Sequence, residues 1–138
     1  MWLFTKIGFL SVSCKPDGMH IRARNRQHLV ALRSRFPCIK TKPILATPDH
    51  DYSFRMIVSR QEWIQIASGL AEEIDYSNFK HEADKTADQP YVDALYEIWS
   101  RMVRYQAALR HPDVGKARKV AQNVPESQHG ASDEEVPW

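Results

Sequence analysis

Acidic side chains are scarce where this chain begins: through Arg60 there are three aspartates and no glutamate, against 11 lysines and arginines. From Gln61 onward 14 acids face 8 bases, so the overall charge of +2 conceals a basic half followed by an acidic half. Two outcomes are open: the halves attract each other in the fold, or a basic face is kept for a polyanionic partner.

Cysteine is nearly absent. Cys14 and Cys38 are too few for a disulfide framework, and no C-x-x-C or Cys/His cluster offers a zinc site. Reduced thiols in a cytoplasmic protein are the expectation, with no metal and no cofactor. Five scattered glycines write neither a G-x-G-x-x-G nor a Walker loop, and no G-x-S-x-G elbow is present. No stretch approaches the roughly 18 consecutive apolar residues of a membrane span, so a soluble protein without a membrane role is expected.

What is present reads as one α+β domain over residues 1–111, followed by a flexible polar tail over 112–138. The opening Trp2-Leu3-Phe4-Thr5-Lys6-Ile7-Gly8-Phe9-Leu10-Ser11 alternates as one long strand with Gly8 as a bulge, rather than as an export signal. Lys15-Pro16-Asp17-Gly18 is a turn, and Met19 to Arg24 a second strand with His20, Arg22 and Arg24 on its polar face. Asn25 caps a helix from Arg26 to about Phe36, which Pro37 stops. Ile44 to Thr47 and Tyr52 to Ser59 form a second strand pair, with Tyr52, Phe54, Met56 and Val58 sharing a face. Ser59 and Glu62 make a capping box for a helix carrying Trp63, Ile66, Leu70 and Ile74. Asp75 to Gln89 reads as irregular.

Gln89-Pro90 starts a long helix that ends near His111-Pro112. Its Val92, Leu95, Trp99, Met102 and Gln106, spaced 3-4-3-4, with Tyr91, Ile98 and Tyr105 every seven, give a wide apolar surface that covers the core or provides a homodimer interface over 90–110. The order β-β-α-β-β-α-α describes a small antiparallel sheet with helices packed on one face, for which a ferredoxin-like topology is expected. The tail runs from basic to acidic and ends at Trp138 as a solvated segment or a docking motif.

For chemistry, Asp49-His50-Asp51 is the densest titratable loop, a candidate for acid and base work in a small hydrolase or nuclease, the weaker class because no Asp-x-Lys or Glu-x-Lys follows it. His81, Glu82 and Asp84 form a looser group. Cations are the better signal. Arg22, Arg24, Arg26, Arg33 and Arg35, then Lys40 and Lys42, form a basic strand-helix surface suited to phosphates. The Arg22/Arg24 strand face itself carries no aromatic side chain for stacking bases.

Asp51-Tyr52-Ser53-Phe54-Arg55, Glu62-Trp63 and Ile74-Asp75-Tyr76-Ser77-Asn78-Phe79-Lys80 carry a resemblance. Over about residues 1 to 105 the chain is similar to a family of small bacterial proteins that begin with an aromatic strand and have no assigned activity. The resemblance implies a cytoplasmic bacterial protein and nominates Tyr52, Arg55, Asp75, Tyr76, Asn78, Phe79 and Lys80 as a shared surface. The leading expectation is a non-enzymatic binding protein that offers its basic face to an acidic macromolecule, nucleic acid or protein, as phage or mobile-element inhibitors of host machinery do. The alternatives are the hydrolase or nuclease and a homodimer holding a small ligand in a sheet cleft.

Overall fold

The computed structural model describes residues 1–110. The tail expected over 112–138 lies outside the described residues. Five antiparallel strands, β1 (Trp2–Thr5), β2 (Gly8–Lys15), β3 (Gly18–Ala23), β4 (Leu45–Ala46) and β5 (Phe54–Val58), form one sheet in the order β1-β2-β3-β5-β4. Four helices accompany it: α1 (Arg26–Arg35), α2 (Arg60–Glu72), α3 (Phe79–Thr86) and α4 (Gln89–Arg110). The class is α+β. The ferredoxin-like order is not found: β1, β2 and β3 pair in sequence, and after α1 the chain runs to the outer strand β4 before β5 returns between β4 and β3.

The long first strand expected from the alternation is a hairpin. Thr5 pairs with Gly8 around Lys6 and Ile7, and the Thr5 side chain fastens the turn, its hydroxyl donating to the Gly8 carbonyl (2.8 Å) and accepting from the Ile7 amide (3.3 Å). Tight hairpins usually announce themselves with Asn-Gly or Asp-Gly, and Lys-Ile announces nothing. Gly8 takes the unusual backbone instead, at φ 140°.

The pleat sorts the side chains. Leu10 and Val12, Met19, Ile21 and Ala23, and Met56 and Val58 point to one face. There they meet Leu29 and Leu32 of α1, Trp63 and Ile66 of α2, and Ile39, forming the main core. Both helices start as expected. The Asn25 side chain accepts from the Gln27 amide, and Ser59 and Glu62 form the reciprocal capping box. Hydrogen bonding from the Ser59 amide, with Lys42 at 3.1 Å, holds the Glu62 carboxyl below its ordinary pKa. α2 ends at Glu72, so Ile74, expected on its buried stripe, lies past the helix and is 62% exposed.

A third helix stands where irregular chain was expected. Asn78 caps α3 by accepting from the Lys80 and His81 amides, and Ala83 is its fully buried residue. One alanine on an otherwise charged segment is a weak periodic signal. Ala83 joins Tyr91 and Leu95 of α4 in a second cluster, with Phe9, Phe79 and Ala87 packed against it. The β1–β2 hairpin is tied to this layer, since the Tyr91 hydroxyl donates to the Thr5 carbonyl (3.0 Å) and the Thr86 hydroxyl to the Lys6 carbonyl (2.8 Å). Burial pushes the Tyr91 phenol above its ordinary range.

The chain divides into two compact units between Glu97 and Ile98, within α4. Tyr91, Val92 and Leu95 are buried in the first unit, whereas in the second Ile98, Met102, Tyr105 and Leu109 are exposed at helical spacing. Among the described residues no helix is long and apolar enough to cross a membrane.

Candidate nucleic-acid interface

The face of the sheet opposite α1 and α2 carries the other half of each strand's alternation: Trp2 and Phe4 from β1, Phe9, Ser11 and Ser13 from β2, His20 and Arg22 from β3, and Arg55 and Ile57 from β5. Phe4 and Phe9 form a cross-strand pair, stacked with ring centroids 4.9 Å apart, and Trp2 meets Phe9 edge-on at 5.8 Å. Phe9 lies 6.3 Å from Tyr52. The guanidinium carbons of Arg22 and Arg24 sit 4.8 and 4.7 Å from the Tyr52 ring centre. The result is a continuous run of rings and guanidinium groups.

This corrects two readings of the sequence. Tyr52 does not share the core face with Phe54, because β5 begins only at Phe54. Before it, Thr47 closes a turn by donating its hydroxyl to the Tyr52 carbonyl (2.9 Å) and its amide to the Ser53 carbonyl (2.7 Å). The arginine face also does not lack aromatic neighbours. The hairpin folds β1 back beside β2 and brings Trp2, Phe4 and Phe9 onto it.

The parts of the surface differ in availability. Trp2 is 68% exposed and Phe4 36%, whereas Tyr52 is 5% exposed and acts as the platform for the two arginines. Arg24 is exposed and anchored through the Asp51 carbonyl (2.7 Å) and carboxylate (3.4 Å). Arg22 is half-buried and donates Nη2 to the Ser11 hydroxyl (2.8 Å). Its Nε, like the Ser13 hydroxyl, is buried without a hydrogen-bond partner among the described residues. A buried unpaired polar group costs about 1–3 kcal/mol. His20 is buried against Asp17 (2.8 Å), a bond that lowers the Asp17 pKa. Arg55 donates Nε to the Thr47 hydroxyl (3.3 Å).

The remaining arginines do not gather here. Arg26 is exposed at the first turn of α1. At the other end of that helix, Arg33 donates to the Lys42 carbonyl (3.2 Å) and Arg35 pairs with Glu73. Lys42 pairs with Glu62, and Lys6 lies 3.9 Å from both Glu73 and Asp75. The basic half and the acidic half therefore do attract each other in part, and the strand-helix patch is split. Arg22 and Arg24 belong to the ring-lined face, while Arg33 and Arg35 are engaged within the fold.

Asp49, His50 and Asp51 are all exposed on their turn, where Asp51 is engaged by Arg24 and the His50 amide donates to the Thr47 carbonyl (3.1 Å). Among the described residues no three His, Cys, Asp or Glu side chains are grouped as a metal ion requires. Structural work accounts for much of the Asp75 to Lys80 stretch. Asn78 is a cap, Phe79 packs on the second cluster, Tyr76 contacts Phe79 at 6.2 Å, and the Lys80 ammonium lies 5.5 Å from the Tyr96 ring centre. Beside them Asp75, Tyr76, Asn78, His81 and Glu82 line a shallow polar depression of about 400 Å³. Comparison with protein-family models, curated proteins and solved structures finds no match for this chain.

Proposed function

We propose that the protein is a non-enzymatic binding module that holds single-stranded nucleic acid on the sheet face opposite α1 and α2. The observation that carries this reading is the run Trp2, Phe4, Phe9, Tyr52, Arg22 and Arg24 on one surface. Exposed rings stack unpaired bases irrespective of sequence, and arginines neutralise phosphates. Exposed rings on a sheet favour splayed bases over a stacked duplex, whose bases are out of reach. In this reading the protein acts in the cytoplasm, where Cys14 and Cys38, both free thiols here, stay reduced.

Fluorescence anisotropy with labelled single-stranded RNA and DNA, at about 50 and 200 mM salt, tests it, because counterion release makes phosphate binding steeply salt-dependent. The expected result is salt-sensitive binding of single strands that is stronger than binding of the matching duplex. No binding at either salt, or preference for the duplex, contradicts it.

A second reading, self-association through α4, is favoured by the exposed Ile98, Met102, Tyr105 and Leu109, whose spacing of four, three and four residues makes a coiled-coil seam. Sedimentation equilibrium is expected to give a dimer mass that Met102→Glu returns to monomer. A monomer at every concentration argues against it.

A further inference from the structure

We propose that the free edge of β1 and the apolar groove beside it capture an extended apolar peptide segment of a partner protein by strand addition. This site borders the nucleic-acid reading at Trp2 and Phe4, but it stands on different groups, the backbone of β1 and the α2 side of the sheet.

The backbone supplies the first half. Met1 and Val12 exchange both hydrogen bonds, Met1 N to Val12 O at 2.7 Å and Val12 N to Met1 O at 2.8 Å. In an antiparallel ladder bonded and non-bonded pairs alternate. Leu3 and Thr5 therefore bond inward to Leu10 and Gly8, and the N–H and C=O groups of Trp2 and Phe4 point outward. Among the described residues β1 is an edge strand, paired with β2 alone. Natural edges are blunted with charge, proline or a bulge. Trp2-Leu3-Phe4-Thr5 has none of these and leaves Trp2 and Phe4 exposed.

The groove supplies the second half. Between β1 and α2 runs a cavity of about 210 Å³ lined chiefly by Leu3, Ile7, Trp63, Ala67, Leu70 and Ile74. The small Ala67 opens the space that a larger side chain would fill. An added strand presents alternate side chains to opposite faces. One set enters this groove and the other lies against Trp2 and Phe4, so the fitting chemistry is an extended segment that is apolar on both faces. This is recognition by β-augmentation, with main-chain bonds for affinity and a pocket for selectivity. A second copy of the chain is the poorer occupant. Edge-to-edge pairing through four residues falls far short of the roughly 800 Å² per partner of a stable interface.

The test selects a phage-displayed library of random dodecapeptides on the immobilised full chain. Retention is compared on Ala67→Glu, which places a charge in the groove, and on Ile74→Glu at its exposed lip, which covers the case that the first variant fails to fold. The expected result is enrichment of peptides with alternating apolar residues, retained at least tenfold less on the folded variants. Methylating alternate backbone nitrogens in a synthetic winning peptide should abolish its binding, while oligonucleotide binding by the variants is unchanged. The proposal is overturned by no enrichment, by equal retention on the variants, or by indifference to N-methylation. A dimer that either variant dissociates also overturns it, because the edge is then occupied by a second copy.

Discussion

Gly8→Ala is expected to remove about 2–6 kcal/mol of folding stability, summing roughly 1–3 kcal/mol for a non-glycine residue in a disallowed backbone region and 1–3 for overpacking. At φ 140° Gly8 holds a conformation that side chains rarely adopt, and a Cβ placed there would lie 2.2 Å from Cγ of His28. His28 cannot retreat easily. It is buried, its Nδ1 accepts from the Phe9 amide (3.3 Å), and its Nε2 meets Asp88 (3.3 Å). Against a total stability of about 5–15 kcal/mol, such a loss is large. Urea denaturation measures it, and adding His28→Ala should recover part of the steric share but none of the backbone share. A Gly8→Ala protein as stable as the parent would show that the hairpin is not built this way.

Trp2→Ala with Phe4→Ala is the counterpart on function, expected to weaken single-strand binding about 100-fold. Stacking is worth roughly 1–3 kcal/mol per base, and two platforms are removed. Trp2 is largely exposed, so its loss is expected to leave stability within about 0.5 kcal/mol of the parent. Arg24→Glu should weaken binding and flatten its salt dependence. Arg33→Ala should do neither, since that side chain is held at the Lys42 carbonyl. Equal losses from Arg33→Ala and the aromatic pair would place the ligand elsewhere.

The sequence made α1, α2, β3 and the core half of β5 legible because each has a cap, a turn residue or a clean alternation. Asn25, Ser59 with Glu62, and Asp17-Gly18 are local signals, and local hydrogen bonds fulfil them. The parts that stayed hidden depend on contacts remote in sequence. Lys6-Ile7 becomes a hairpin turn through the Thr5 hydroxyl and through docking of Tyr91 and Thr86, some eighty residues away. α3 forms around one buried alanine. The candidate site was half legible: Arg22 and Arg24 were visible as a cationic face, but their aromatic partners come from the unforeseen hairpin and from a loop, so no period in the β3 sequence reveals them.

The central claim is that bases lie on the exposed Trp2 and Phe4 rings, which Phe9 supports from beneath, and photo-crosslinking locates them most directly. Ultraviolet irradiation of the intact protein with bound single-stranded oligonucleotide, followed by proteolysis and mass spectrometry, should place adducts on the peptides spanning Trp2 to Lys15. Adducts confined to the α4 segment from Ile98 to Arg110, or none on the hairpin, would contradict the account.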